Sequence, residues 1–181
     1  MATLRHLCMF HKLKCVDIVT EMSIVLDDDA LRDLVMSWPR LETMKLISNS
    51  DAGDPLRQQT RATLRGLVHI VQYCPSLGSL GIHVDTSESD ILVGPATPLL
   101  PDAPHCNSRI QRVSFSRSLL LGDPAMIGAF LLAIFPNLTH IALGWSEYDE
   151  LEEWEPVCDA MQALRMESQK EDELSTTPTD A

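Results

Sequence analysis

Apolar residues in this chain return five times in one spacing. FHKLKCVDI (10–18), WPRLETMKL (38–46), CPSLGSLGI (74–82), NSRIQRVSF (107–115) and FPNLTHIAL (135–143) all follow L-x-x-L-x-L with conservative exchanges. The positions are Leu13/Val16/Ile18, Leu41/Met44/Leu46, Leu77/Leu80/Ile82, Ile110/Val113/Phe115 and Leu138/Ile141/Leu143. Their first members follow one another after 28, 36, 33 and 28 residues, the interval expected of a structural repeat. A single triplet arises by chance in most apolar chains. Five in series do not. The last two apolar positions of each triplet alternate with other residues, which predicts a short strand with one face buried.

Upstream of each Pro39, Pro75 and Pro136 the period changes to that of a helix. Leu31, Leu34, Val35 and Trp38 fall on one helical face, as do Leu64, Leu67, Val68, Val71 and Cys74, and again Ile127, Phe130, Leu131 and Ile134. Asp27 to Asp29 supply an N-cap for the first, Thr60 or Thr63 for the second, and Asp123 followed by Pro124 for the third. The prolines close these helices, because the residue before a proline is pushed away from helical geometry. A further helical stripe, Trp154, Val157, Cys158, Met161 and Leu164, predicts a covering helix near the C-terminus.

Each unit therefore reads as helix, proline turn, strand. Neither element buries its apolar side alone, whereas stacked units bury both. The predicted fold is α/β, with about five parallel strands on one face and helices on the other. The domain spans 1–165, and 166–181 is expected to be an acidic disordered tail. The connector 86–107 carries Pro95, Pro98, Pro101 and Pro104, which exclude a regular helix between strands three and four, although DILVG (90–94) could add a short strand. Residues 4–10 read as the tail of a helix entering the first strand.

These units resemble leucine-rich repeats of an irregular kind. The polar position three residues beyond the last apolar one is Asn49 once and otherwise Glu21, Asp85, Ser118 or Ser146. In combination, LDDDALRDLVMSWPRLETMKL, TLRGLVHIVQYCPSLGSLGIHVD, GDPAMIGAFLLAIFPNLTHI and EYDELEEWEPV resemble the repeat-bearing C-terminal region of basidiomycete-type fungal F-box proteins. That resemblance implies an irregular leucine-rich-repeat solenoid fragment that selects a protein for a cullin–RING ubiquitin ligase. The ligase adaptor would be reached through an F-box, and no segment here matches one. The other reading is a repeat scaffold, alone or within another multidomain protein, without a ubiquitin role.

Charge and chemistry narrow the classes further. A net charge of −12 opposes attraction to nucleic acid or an anionic membrane. The apolar run at 125–135 is broken by Gly128 and is too short to span a bilayer. Five scattered cysteines in no metal-ligand or disulfide spacing, and no recognisable export signal, predict an intracellular chain, cytoplasmic or nuclear. No cofactor, metal or catalytic residue is predicted, and the chain is not expected to be an enzyme. His105 and Cys106 are adjacent, but neighbours on an extended segment point apart. What the pattern does offer is a binding face, since the residues alternating with the buried ones form rows across the strands. Asp17, Lys45, His83, Arg112, Ser114 and His140 are the candidate partner-binding residues of this concave, neutral-to-basic surface.

Overall fold

The computed structural model describes residues 4, 6–21, 24–48, 61–87, 106–115, 118–142 and 154–175. It contains one sheet of five parallel strands, β1 (Cys15–Thr20), β2 (Thr43–Ser48), β3 (Ser79–Ile82), β4 (Arg112–Ser114) and β5 (His140–Ala142). Their order in space is their order in the chain. The register follows the sequence alignment position for position. Val16, Met44, Leu80, Val113 and Ile141 stand side by side, as do Ile18, Leu46 and Ile82. A shift of one residue would turn every buried side chain of a strand outward, so the apolar pattern itself fixes this pairing.

Four helices accompany the strands: α1 (Asp28–Ser37), α2 (Gly66–Tyr73), α3 (Pro124–Ile134) and α4 (Glu155–Ser175). Asp27 caps α1 by accepting the Ala30 N–H at 2.8 Å, and Asp123 caps α3 ahead of Pro124. Thr63 lies just before α2, and its hydroxyl oxygen accepts the Arg65 N–H at 3.2 Å. Its backbone N–H and its hydroxyl both donate to the Asp28 carboxylate at 2.7 Å, and the helix begins after Arg65 with no side-chain cap. The predicted stripes face inward, and Leu31, Val35, Trp38, Leu67, Cys74, Leu131 and Leu138 are wholly buried. One hydrophobic core runs from Val16 to Met161 and joins the helices to the sheet face bearing Met44, Leu80 and Val113.

The turns between helix and strand are built alike. The N–H groups of Leu13, Leu41, Leu77 and Leu138 donate to Phe10, Trp38, Cys74 and Phe135. The next carbonyl then receives two N–H groups from the following segment. Lys14 accepts from Glu42 and Thr43, Glu42 from Gly78 and Ser79, and Gln111 from Thr139 and His140. A third contact recurs at the residue three positions before the first apolar one. Trp38 Nε1 donates to the Leu7 carbonyl at 3.1 Å, Cys74 Sγ to that of Trp38 at 3.5 Å, and Asn107 Nδ2 to that of Leu77 at 3.0 Å. Three segments thus give a buried donor to the one before, and the fifth has Phe135 in that position.

A second line of bonds ties the approaches to the helices. The Arg61 N–H donates to Leu26 and that of Asp85 to Ala62, both at 2.8 Å, and the Thr86 hydroxyl donates to Leu119 at 2.7 Å. Ser118 occupies one of the polar positions after a strand. Its hydroxyl accepts the Val84 N–H and donates to the Phe115 carbonyl within the core.

Two expectations are corrected. Leu4 is α-helical as expected, but His6–Met9 form a 3-10 turn before the first strand. The covering helix continues to Ser175, ten residues beyond the expected domain end at 165, so 166–175 is helical. Nothing in RMESQKEDELS breaks a helix, and its Met, Gln, Lys, Glu and Leu favour one. Most of the 86–107 connector, the DILVG stretch, Thr60 and the final positions 176–181 lie outside the described residues.

Candidate binding face

Residues alternating with the buried strand positions lie on the second face of the sheet. They form two rows in register. The first is Cys15, Thr43, Ser79, Arg112 and His140, and the second is Asp17, Lys45, Gly81, Ser114 and Ala142. Five of the six candidate residues belong to these rows, and His83 follows directly after β3.

Their surroundings differ. Arg112 and His140 are exposed and stand opposite one another in the β4–β5 ladder. Asp17 is exposed, but Lys45 beside it keeps only 13% of its side chain accessible and places its ammonium 3.8 Å from the Asp17 carboxylate. The two charges largely cancel, which leaves the second row near neutral. The signal was present in the alignment, because Asp17 and Lys45 fall at the same repeat position in adjacent units. Ser114 is 3% exposed. Its short side chain stays low between Gly81 and Ala142 and offers little to a partner. His83 is half-buried, and its Nε2 accepts the Ser48 N–H at 3.1 Å. That bond places the ring proton on Nδ1 and ties the end of β3 to the end of β2.

Perturbed titrations lie elsewhere. His69 on α2 is held below the ordinary histidine value, first by burial and then by the Arg32 charge, with Asp28 and Asp29 opposing. Burial pushes the Cys74 thiol up to about 12, which keeps it protonated and unreactive. Cys158 is raised by burial and by Asp159 and Glu155, against a bond to the Ile141 backbone. None of these groups stands in either row. Among the described residues no three His, Cys, Asp or Glu side chains converge on a point that could hold a metal ion. Among them, too, no helix is long and apolar enough to cross a membrane. Cys106 is exposed, while its neighbour His105 lies outside the described residues.

The fold defines the chain as an α/β protein with one sequentially ordered parallel sheet. A scan of the sequence against protein-family models gives no match, and no curated protein matches it.

Proposed function

We propose that the chain is a protein–protein interaction module, built as an irregular leucine-rich-repeat array, whose second sheet face receives a partner protein. One observation carries this reading. Equivalent positions of all five segments are aligned in register across that face, so side chains far apart in sequence form continuous rows. Such rows suit an extended partner surface, which each segment contacts in turn. The sequential strand order and the repeated turn bonds support the repeat architecture. The resemblance to F-box proteins adds the role: selection of a protein for ubiquitination, with the cullin–RING adaptor engaged through an F-box.

Thr43→Trp tests the face without changing its charge, since Thr43 is half-buried in the first row. The partner is captured on the full chain, identified by mass spectrometry, and measured against wild type, Thr43→Trp and Lys12→Glu. Lys12 is exposed and outside the rows. Loss of the partner in Thr43→Trp alone supports the face. Equal retention by both variants overturns it. A partner that binds through the face, and whose ubiquitination and lifetime do not change when this protein is removed, leaves the scaffold role without a ubiquitin function.

A further inference from the structure

The two rows differ in what they can offer a ligand. In the second, Asp17 and Lys45 neutralise each other. The first row contains no acid at all. Its Thr43 and Ser79 hydroxyls, Arg112 guanidinium and His140 imidazole can each donate a hydrogen bond, and the guanidinium can do nothing else. None of these four side chains has a hydrogen-bond or ion-pair partner among the described residues. Neighbouring strands lie about 4.8 Å apart, so the four donors extend over about 14 Å.

Their electrostatic setting is equally one-sided. The described residues 106–115 and 118–142 contain Arg109 and Arg112 against one acid, Asp123, within a chain of net charge −12. Asp123 is engaged in capping α3. Arg109 is exposed on the turn into β4, where the Asn137 amide holds the Ser108 carbonyl at 2.9 Å. A row of donors with local positive charge is complementary to a ligand made of acceptors.

We propose that the first row docks an acidic peptide segment of the partner, laid across β2 to β5. Its carboxylates meet Arg112 and His140, and further oxygens meet Ser79 and Thr43. The proposal rests on the interaction reading above and names the chemistry of the partner. Arginine grips an oxyanion through two parallel N–H groups, which gives direction as well as attraction. A phosphorylated side chain presents the same oxyanion chemistry, and the peptide arms below separate the two sources.

The full chain, labelled with nitrogen-15, is titrated at neutral pH and low salt with three peptides: hexaglutamate, hexaglutamine, and hexaglutamine carrying one phosphoserine. We expect hexaglutamate to shift the Thr43, Ser79, Arg112 and His140 resonances and hexaglutamine to leave them in place. Arg112→Gln should weaken the acidic peptide by about tenfold or more, with Arg112→Lys between it and wild type. Lys12→Gln should bind as wild type does. Tighter binding of the phosphopeptide assigns phosphate as the source of the oxyanion, and tighter binding of hexaglutamate assigns carboxylate. Either supports the proposal. It is overturned if neither anionic peptide moves these resonances, if hexaglutamine binds as well as hexaglutamate, or if Arg112→Gln binds unchanged. If Thr43→Trp abolishes partner capture while the anionic peptides leave the row unmoved, the interaction face stands and its acidic ligand falls.

Discussion

His69 lies beside the charged side of α1, with its Nδ1 enclosed and without a hydrogen-bond partner. Its ring stacks near Tyr73 at 6.5 Å, and Arg32, Asp28 and Asp29 are the charged groups acting on it. Because its pKa is depressed below 6.5, the folded chain binds the proton less readily than the unfolded chain does. The folded state is therefore favoured fully above 6.5, and that advantage is lost as pH falls from there through the folded value. Urea midpoints measured between about pH 7.5 and about pH 5.5 should decline on the acid side. His69→Gln, which cannot take up the proton, should flatten that decline. An identical slope in both proteins would assign it to other groups.

Between elements, the contact of Asp28 with the approach to α2 makes a sharper test. Both carboxylate oxygens are used by Thr63, and Gly66 leaves the space they need, since a Cβ there would overlap Asp28 Oδ1. Removing the carboxylate leaves two donors of Thr63 without acceptors, so Asp28→Ala should cost about 1–3 kcal/mol. Gly66→Ala should also destabilise, and the double variant should lose less than the sum of the two. Chemical denaturation of the four proteins closes this cycle, and strict additivity would show that the residues do not act together. The same contact marks a limit of sequence reading. Asp27 to Asp29 were legible as helix-starting acids because capping is local, and Asp27 takes that role. That Asp28 instead reaches across 35 residues to take both donors of Thr63 depends on how two helices approach. The end of α4 was misplaced for another reason: past Leu164 the apolar stripe stops, although the propensity to remain helical does not.

For the whole molecule, the sheet was legible down to its register because period-two burial admits a single pairing. The binding rows followed from it. Which of their side chains remain available did not, as the cancellation of Lys45 by Asp17 and the burial of Ser114 show. The sheet also has two edge strands among the described residues, β1 and β5. β2 and β3 are paired on both sides, whereas among the described residues β1 is paired only with β2. Amide exchange should therefore be faster in β1 than in β2 and β3, and equal protection would show that its outer edge is covered. The donors of Trp38, Cys74 and Asn107 give the stack a sense of direction as well. Each points toward the preceding segment. A segment torn from the C-terminal side takes its donor with it and leaves behind a carbonyl with a second lone pair. One torn from the N-terminal side strands a buried donor in what remains, which proteins tolerate less readily. Under mechanical load the chain should therefore behave as a ratchet, shedding segments one by one once α4 has peeled from its end and resisting loss from its beginning.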